Sequence, residues 1–420
     1  MSITYGLKEV FSQSKFSSNS ISPGKLPLVI SPRKVYYFEK GDGGESADTR
    51  LVKCIKDPST GEWSCSSVLS ETGGWWLSVL HVLLKDKEYM LGAWAVVPNP
   101  KLWIVNDTVI TKTYGASNHQ NLGHTIYLSE HDKFLTGGEC SGNKLRLIDP
   151  NNDWAEVASW SFSWLSGKSY GKIDIVPRND DKLYILAGIG TASASPRNAI
   201  LGIVDIDDLL ANPNSYIDQL GSWEQLKDFG AYPRCTVLRC YNARWIEIET
   251  TTDIMVYDPV NDVVILNDRP RLLFGDGGFA TYDEDNGILT LYDKSGNQLA
   301  QITGLSYASM DTELDTQLFA MASDSTMTIN YLLALTMNGY TPIPEVDLVN
   351  NKFRIIDFHT EQEIAFRVMI VWSKIGNGLV SPIIVDETRT QTLDVNGWIS
   401  IPRPPSAGKW LMTIVPLQPL

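Results

Sequence analysis

The chain has 420 residues, of which 43% are hydrophobic and 20% are charged. This balance supplies enough apolar side chains for hydrophobic cores and too little charge for a disordered chain. The net charge of −14 argues against a nucleic-acid partner, because neutralising phosphates requires clustered Lys and Arg. No stretch reaches the ~20 apolar residues of a membrane-spanning helix, so we expect no membrane insertion. The length predicts about two or three domains.

The N-terminal segment, residues 1–25, lacks the apolar run of a secretion signal. Ser and Asn dominate residues 12–24, a composition that is typical of an extended arm or a linker. Such an arm could dock on a partner, and the alternative is a flexible leader without a fixed position. We therefore predict that residues 1–25 form an N-terminal arm that precedes the first folded domain.

The five cysteines are an odd number, so at least one is free or pairs with another chain. Cys54 and Cys65 flank a turn-forming segment, DPSTGE, in which Pro presets φ and Gly adopts positive φ. Two strands leaving this turn would place the cysteines opposite each other, at the roughly 5 Å separation of cross-strand pairs. The sequence is compatible both with a disulfide between Cys54 and Cys65 and with two reduced cysteines. The disulfide would indicate an extracellular compartment or an extreme thermophile.

One pattern recurs along the chain: a short apolar or alternating run, an acidic turn and a second run. Strand-type residues on both sides of an Asp, Asn, Gly or Lys turn predict a β-hairpin. Six segments have this pattern, namely 77–94, 124–139, 172–190, 253–268, 279–293 and 307–324. The sequence therefore predicts an all-β protein.

The acidic turns near Lys85, His131 and Asp180 are 46 and 49 residues apart. Propeller blades of four strands repeat at roughly 40–50 residues, so residues 26–340 look like a divergent β-propeller of about five to seven blades. The spacing then breaks, and within the break residues 203–220 predict a single helical turn. The alternative architecture is a β-sandwich or a pair of barrels without radial symmetry.

The composition changes again at residues 338–344, where Gly and Pro are typical of a linker. Residues 341–420 follow, with the strand-type runs FRIIDF and FRVMIVW on either side of polar HTEQE. The tetrapeptide at 394–397, DVNG, is hairpin-turn chemistry with Gly at a position of positive φ. We predict a small β-sandwich over 341–420. A unit of about 75 residues is marginal alone, so we expect it to dock against the propeller.

The sandwich segment resembles the transthyretin-like, or carboxypeptidase-regulatory-like, β-sandwich family. That family has a D-x-x-T-x-x-x-I turn, a later T-x-D-x-x-G-x-[FWY] hairpin and a Pro-rich turn before the closing strand. The matching residues are Asp357, Thr360 and Ile364, then Thr392, Asp394, Gly397 and Trp398, then Pro402, Pro404, Pro405 and Gly408. The match departs from the family at Trp398, which directly follows Gly397, and in the central WSKIGNGLVSP. Such domains are generally non-catalytic scaffolds or adhesion modules, so the resemblance implies no active site.

Two groups of residues are candidates for ligand binding. Asp149, Asn151 and Asp153 have the spacing of calcium ligands, but the Gly of a calcium loop's sharp turn is missing, and the alternative is an Asx-rich turn. Trp75 and Trp76 are adjacent, so in an extended strand one of them points away from the core side of its sheet. Such a ring could stack on a sugar. We predict no catalytic residue, no metal and no cofactor.

These patterns favour a non-catalytic structural or adhesion protein, because a disc with many loops and a second small domain supply contact surfaces. Analogy places such a pair of domains in a virion or tail component, or at an extracellular surface. The expected partners are other structural proteins of an assembly, and cell-surface glycans. The alternative is a carbohydrate-active enzyme, a glycoside hydrolase or lyase, with carboxylates converging on the central funnel. The acids cluster at hairpin tips, which favours binding over catalysis.

Overall fold

The fold consists almost entirely of antiparallel strands. The computed structural model describes residues 3–16, 23–40, 48–72, 75–84, 87–95, 101–105, 109–113, 120–128, 131–140, 144–166, 171–178, 181–189, 198–231, 237–241, 245–249, 254–267, 270–273, 278–293, 295–305, 309–311, 318–326, 328–347, 349–376, 379–387, 397–401 and 410–419. Within these ranges, no helix has both the length and the apolar character needed to cross a membrane.

The chain begins with strand β1 (Tyr5–Ser14), and the strands that follow fall into four-stranded units that we call blades. Blade 1 contains β2 (Pro23–Ser31), β3 (Lys34–Lys40), β4 (Asp48–Lys56) and β5 (Trp63–Thr72). Blade 2 contains β6 (Trp75–Leu84), β7 (Lys87–Ala95), β8 (Lys101–Val105) and β9 (Val109–Thr113). Blade 3 contains β10 (Gln120–Leu128), β11 (Lys133–Cys140), β12 (Leu145–Asp149) and β13 (Ala155–Trp160).

The second half of the array repeats this arrangement, with helix α1 (Ile206–Ala211) inside blade 4. Blade 4 contains β14 (Gly171–Pro177), β15 (Lys182–Ile189), β16 (Asn198–Asp205) and β17 (Glu224–Ala231). Blade 5 contains β18 (Val237–Tyr241), β19 (Trp245–Glu249), β20 (Ile254–Asp258) and β21 (Val263–Leu266). Blade 6 contains β22 (Pro270–Leu273), β23 (Phe279–Asp283), β24 (Ile288–Tyr292) and β25 (Gln298–Ile302). Blade 7 combines β26 (Ser309–Asp311), β27 (Phe319–Ser323) and β28 (Ile329–Met337) with β1.

Turn-forming residues join the strands into hairpins within the blades, as the sequence predicts. All six segments with the hairpin pattern contain paired antiparallel strands, such as β6 with β7, β10 with β11 and β14 with β15. Several turns place an Asp in the left-handed region, including Asp132 (φ 52°), Asp181 (φ 58°) and Asp262 (φ 53°). Asp tolerates this conformation because its short side chain can hydrogen-bond locally.

The blades follow one another around a ring. The first strands of neighbouring blades are in contact from β2 to β6, β10, β14 and β18 in turn, and β22 contacts β26. The first and last blades also meet, because β2 contacts β26 and β27. The prediction of an all-β propeller is therefore confirmed. The described strands form seven blades, at the upper end of the expected range.

The N-terminal segment differs from the predicted arm. Strand β1 pairs with β28 along its whole length, from Tyr5 opposite Met337 to Ser14 opposite Ile329. Phe11 of β1 is buried in the core between the blades. The sequence did not reveal this pairing, because β28 lies more than 300 residues away along the chain. Residues 5–14 are thus the outermost strand of blade 7, and the interpretation of residues 1–25 as an arm or leader is wrong for that part.

A small β-sandwich follows the last blade, as predicted. One three-stranded sheet contains β29 (Pro342–Asp347), β30 (Lys352–Asp357) and β33 (Ile399–Ser400). The other contains β31 (Phe366–Gly376), β32 (Leu379–Glu387) and β34 (Trp410–Pro419). Phe353 and Ile414, one from each sheet, belong to the same buried core as Leu333 of blade 7. The exact domain limits of 26–340 and 341–420 stay a prediction.

An insertion within blade 4 accounts for part of the break in the blade spacing, and the rest arises because the next acidic turn joins the third and fourth strands of blade 5, β20 and β21. Residues 206–223 leave β16, form the predicted helical turn as α1 and return to β17. Asp205 caps α1, because its carboxylate accepts the backbone N–H groups of Asp207 and Asp208. The insertion reaches blade 3, where the Trp160 indole donates to the Asn212 carbonyl (2.8 Å). It therefore covers β13, the edge strand of blade 3, and covered edges resist unwanted pairing.

Blades 3 and 4 also join into one continuous sheet. The end of β11 pairs with the start of β14, with Gly138 opposite Ile173. The preceding residue, Gly137, lies so close to β14 that an added Cβ would stand 2.4 Å from the Ile173 carbonyl oxygen. The two backbones can approach only because Gly137 has no side chain.

We expect Gly137→Ala to destabilise the protein by about 1–3 kcal/mol, because the methyl group would force β11 and β14 apart. The measurement is the urea unfolding midpoint. Gly221→Ala is the matched control, since the nearest atom to an added Cβ there is 4.0 Å away. Equal midpoints for the two variants would contradict the close approach.

Candidate functional site

The acidic hairpin tips are built as Asx turns. The side chain of Asp258 accepts the backbone N–H groups of Val260 (2.9 Å) and Asn261 (3.2 Å) and the side-chain amide of Asn261 (2.7 Å). Two backbone N–H groups, the first two residues on and the second three or four residues on, likewise donate to the carboxylates of Asp57, Asp283, Asp293 and Asp347. Hydrogen bonds of this kind hold the pKa values of Asp57, Asp283 and Asp347 below the ordinary range. These carboxylates are acceptors that stabilise the turns.

The predicted calcium candidates lie in such a turn, between β12 and β13. Asp149 accepts the N–H of Asn151 (2.8 Å) and forms an ion pair with Lys133 (3.3 Å). Asn151 donates its amide to Asp132 (2.8 Å), and Asp153 has a positive φ of 51°. These contacts fit the Asx-turn alternative. Among the residues that the structure describes, no group of three His, Cys, Asp or Glu could hold a metal ion.

The predicted tryptophan pair lies at the start of β6. Trp75 is opposite Ala95 and Trp76 is opposite Trp94 in β7, and the register shifts between Trp76 and Ser78. A register shift of this kind is a β-bulge, which redirects the side chains beside it. The side chains of the pair lie outside the described part of the structure, so their role in sugar binding stays a prediction.

The two cysteines that flank DPSTGE lie opposite each other in β4 and β5. The Cα atoms of Cys54 and Cys65 are 4.1 Å apart, and the two sulfurs are bonded. Cys54 is fully buried and Cys65 is partly buried against the same core. The turn therefore brings the pair together as the strand geometry predicts, and the structure contains the disulfide.

A buried polar network joins the first and last blades where β1 closes the ring. Glu39 of β3 is fully buried, and its carboxylate accepts the backbone N–H of Phe16 (3.1 Å) and the side-chain amide of Asn330 (3.1 Å). Asn330 in turn accepts the Ser323 hydroxyl (3.1 Å). Burial and the Glu39 charge raise the pKa of the adjacent Tyr37 well above its ordinary value. Residues of β3, β27, β28 and the segment after β1 thus share one network.

A lysine with a buried ammonium group lies beside this network. The Lys15 ammonium nitrogen is buried and has no hydrogen-bond partner among the residues that the structure describes. Burial lowers the pKa of Lys15 to about 8, although the negative charges of Glu39 and Asp324 oppose that shift. The ammonium group therefore compensates the buried carboxylate through the local field, without a direct hydrogen bond.

The sandwich docks on the propeller beside the same closure. Glu361, in the turn after β30, forms ion pairs with Arg33 (2.6 Å) and Lys56 (3.2 Å) of blade 1. Arg33 lies in the β2–β3 turn and Lys56 at the β4–β5 turn, which are at the same end of an antiparallel blade. The hydrogen bond from Arg33 and the two positive charges lower the pKa of Glu361.

Aromatic rings extend this contact into the core. The ring of Phe358 stacks on Trp63 of blade 1 at 6.5 Å and meets Phe319 of blade 7 edge-on at 4.8 Å. Asp357, next to it, accepts the backbone N–H of Thr341 (2.9 Å), which lies in the link between blade 7 and the sandwich. We call the region where β1, blade 1, blade 7 and the sandwich meet the closure seam.

The sequence did not single out the residues of the closure seam. Glu39, Asn330, Phe358 and Glu361 are separated by up to 322 residues, and no local spacing connects them. One local pattern indicates part of the closure seam: the apolar residues Tyr5, Leu7 and Phe11 precede the Ser- and Asn-rich stretch at 12–24. That alternation indicates a strand, whereas the strand's partner cannot be read from it.

A histidine is enclosed in the closure seam. The His359 Nε2 atom lies 3.2 Å from the Thr341 hydroxyl, and its carbonyl accepts the Lys56 ammonium (3.2 Å). Burial lowers the pKa of His359 to about 4, and the positive charges of Lys8 and Lys56 add to this shift while Asp357 opposes it. The neutral imidazole is therefore the form that the folded protein stabilises.

We predict an acid-sensitive contribution to stability from His359. Its folded pKa of about 4 lies below the unfolded value, 6.5, so the contribution is complete above pH 6.5 and is lost as the pH falls towards 4. Allowing for partial exposure, the loss is about 1 kcal/mol. The measurement is the unfolding midpoint at pH 7 and pH 4.5 for the wild type and His359→Gln. The same pH dependence in both proteins would contradict this role.

Comparison with known proteins finds similarity in structure alone. No family model matches the chain, and no curated protein matches it. The similar solved structures include Raptor from Chaetomium thermophilum (TM-score 0.47), a mitotic checkpoint complex (0.47) and a mutant of puromycin hydrolase complexed with PGG (0.43), each at 10% sequence identity.

The alignments cover 80%, 79% and 78% of this chain, in the same order. They cover 29%, 93% and 56% of the other chains. The chain thus spans less than a third of the Raptor chain.

Proposed function

We propose that this protein is a non-catalytic structural component of a larger assembly, in which it binds other structural proteins. The proposal rests on the role of the buried carboxylates, which accept hydrogen bonds within the fold. Four are described, Glu39, Asp174, Asp258 and Asp357, and they belong to blade 1, blade 4, blade 5 and the sandwich. Glu39, Asp258 and Asp357 accept hydrogen bonds that hold a turn or join two elements, and Asp174 accepts the backbone N–H of its neighbour Ile175. Acids that hold turns and interfaces together support a scaffold.

The closure supports a rigid scaffold as well. A propeller that is fastened by its own first strand and by a docked sandwich presents its loops from a fixed frame, and rigid frames lower the entropy cost of binding. The Cys54–Cys65 disulfide supports a location outside reducing compartments. We therefore propose a virion or tail component, or another extracellular structure, with assembly or attachment to a host surface as its task.

We also propose that the sandwich belongs to the transthyretin-like class. Two three-stranded sheets, and the role of Asp357 in its turn, support this assignment. The Asp357 carboxylate accepts the backbone N–H and the hydroxyl of Thr360, both at 3.0 Å. These are the Asp and Thr of the D-x-x-T turn. A non-catalytic adhesion module is what the resemblance implies, and it suits the proposed assembly role.

The alternative is a carbohydrate-active enzyme. A glycosidase needs two carboxylates roughly 5–10 Å apart across the bond that it cleaves. Asp174 is the residue that favours this alternative, because it is buried on β14, one of the first strands that form the ring. An enzyme would therefore be expected to lose turnover with Asp174→Asn while it remained folded.

The mass of the native particle tests the assembly role. We expect the chain to be recovered from its source in a complex far heavier than the 46.7 kDa of one chain, and to turn over no polysaccharide in a broad screen. Native mass spectrometry and reducing-sugar release are the measurements. A free monomer with turnover that Asp174→Asn abolishes would overturn the proposal and establish the enzyme.

Cell-surface glycans are the second class of partner that we propose, with Trp75 and Trp76 as the contact. If one of the two rings stacks on a sugar, we expect its change to Ala to weaken glycan-array binding about tenfold, the equivalent of one aromatic contact. Trp398→Ala in the sandwich is the control. No loss for either variant of the pair would remove these residues from the proposed contact.

A further inference from the structure

The β4–β5 hairpin of blade 1 makes contacts on both sides of the closure seam. Its Trp63 ring lies 5.1 Å from the ring of Phe11 in β1 and 6.5 Å from Phe358 in the sandwich. One indole therefore contacts the strand that closes the propeller and the domain that docks on it. Aromatic pairs at these distances add to the stabilisation from burial alone.

The residue opposite Trp63 makes the polar half of the same contact. Lys56 ends β4 and pairs with Trp63 in the register of the hairpin. Its ammonium group lies 3.2 Å from Glu361 and 3.2 Å from the His359 carbonyl. The two strands thus bring one apolar and one charged group side by side onto the sandwich, so both contacts depend on the position of the hairpin's end.

The disulfide lies two register positions from these residues. Cys54 is opposite Cys65, and Lys56 is opposite Trp63, in the same ladder. Residues two apart on a strand share a face, so the disulfide is on the face that carries both docking side chains. Beyond Lys56 and Trp63, the hairpin consists of the exposed turn 57–62, which is closed by hydrogen bonds between Asp57 and Glu62 and between Gly61 and Asp57 (2.8 Å each).

We propose that the Cys54–Cys65 disulfide is a redox-controlled clamp whose reduction by a dithiol loosens β1 and the sandwich from blade 1. The oxidised hairpin holds Trp63 and Lys56 in their docking positions. In the reduced hairpin the two sulfurs must separate beyond bonding distance, and the strand ends gain the freedom to move. The clamp acts on the closure seam, whichever partner the protein binds.

The exchange chemistry suits the burial of the two sulfurs. Cys65 is partly exposed and Cys54 is fully buried, so a reductant thiolate attacks the sulfur of Cys65. The S–S bond breaks with its electron pair on the Cys54 sulfur, which takes up a proton. The second thiol of the reductant then displaces Cys65 as a thiol, and the reductant leaves as a disulfide. Two electrons pass from the dithiol to the protein.

The clamp predicts a local response to reduction. We expect amide hydrogen exchange in β1 and in the sandwich to become roughly tenfold faster or more after treatment with dithiothreitol, because disulfides typically limit opening by this order or more. Exchange in blades 3 and 4 should stay unchanged, since their core is separate from the one at the closure seam. The measurement is hydrogen-exchange mass spectrometry of the full chain, oxidised, reduced and reoxidised.

Two variants keep the test decisive. The double change Cys54→Ser and Cys65→Ser should reproduce the reduced pattern without a reductant, and Cys240→Ser, outside the pair, should behave as wild type. If the double variant fails to fold, the reduced and reoxidised wild type still decides the question. Unchanged exchange at β1 and the sandwich, a pair that dithiothreitol cannot reduce, or equally accelerated exchange in every blade would each overturn the clamp.

Discussion

The pairing of β1 with β28 is the contact on which the rest of the structure depends. A propeller without it would end in an open strand edge on β28, with Glu39 buried and deprived of the Phe16 N–H. The pairing joins residues that lie more than 300 positions apart in the chain. Non-local pairings of this kind are costly in chain entropy and need strong packing in return.

The packing that compensates this cost is concentrated at the closure seam. One continuous core includes Tyr37 of blade 1, Leu289 of blade 6, Leu333 of blade 7 and Phe353 of the sandwich. Blades 3 and 4 have a separate core around Trp160 and the insertion. The sandwich therefore contributes to the hydrophobic core that closes the ring of blades. This also explains how a domain of marginal size obtains additional burial.

The excess of acidic residues has a structural explanation in much of the described chain. Asp side chains accept backbone N–H groups at turn after turn, and an ionised carboxylate is the better acceptor for that purpose. Two partly enclosed positive groups, the ammonium groups of Lys15 and Lys56, lie near Glu39 in the interior and beside Glu361 at the interface. Although the chain has a net charge of −14, these two carboxylates at the closure seam therefore have a positive group nearby.

Local chemistry in the sequence determined the hairpins, the helical turn before β17 and the opposition of Cys54 and Cys65, because each depends on residues a few positions apart. The number of blades could not be derived in the same way, because residues 206–223 lengthen blade 4 and the acidic turns of blades 5 and 6 join different strand pairs from those of blades 2 to 4. Tertiary structure alone decided that residues 5–14 close the ring and that His359 lies in an interface. Those outcomes depend on contacts between segments hundreds of residues apart, and no periodicity within either segment encodes its partner.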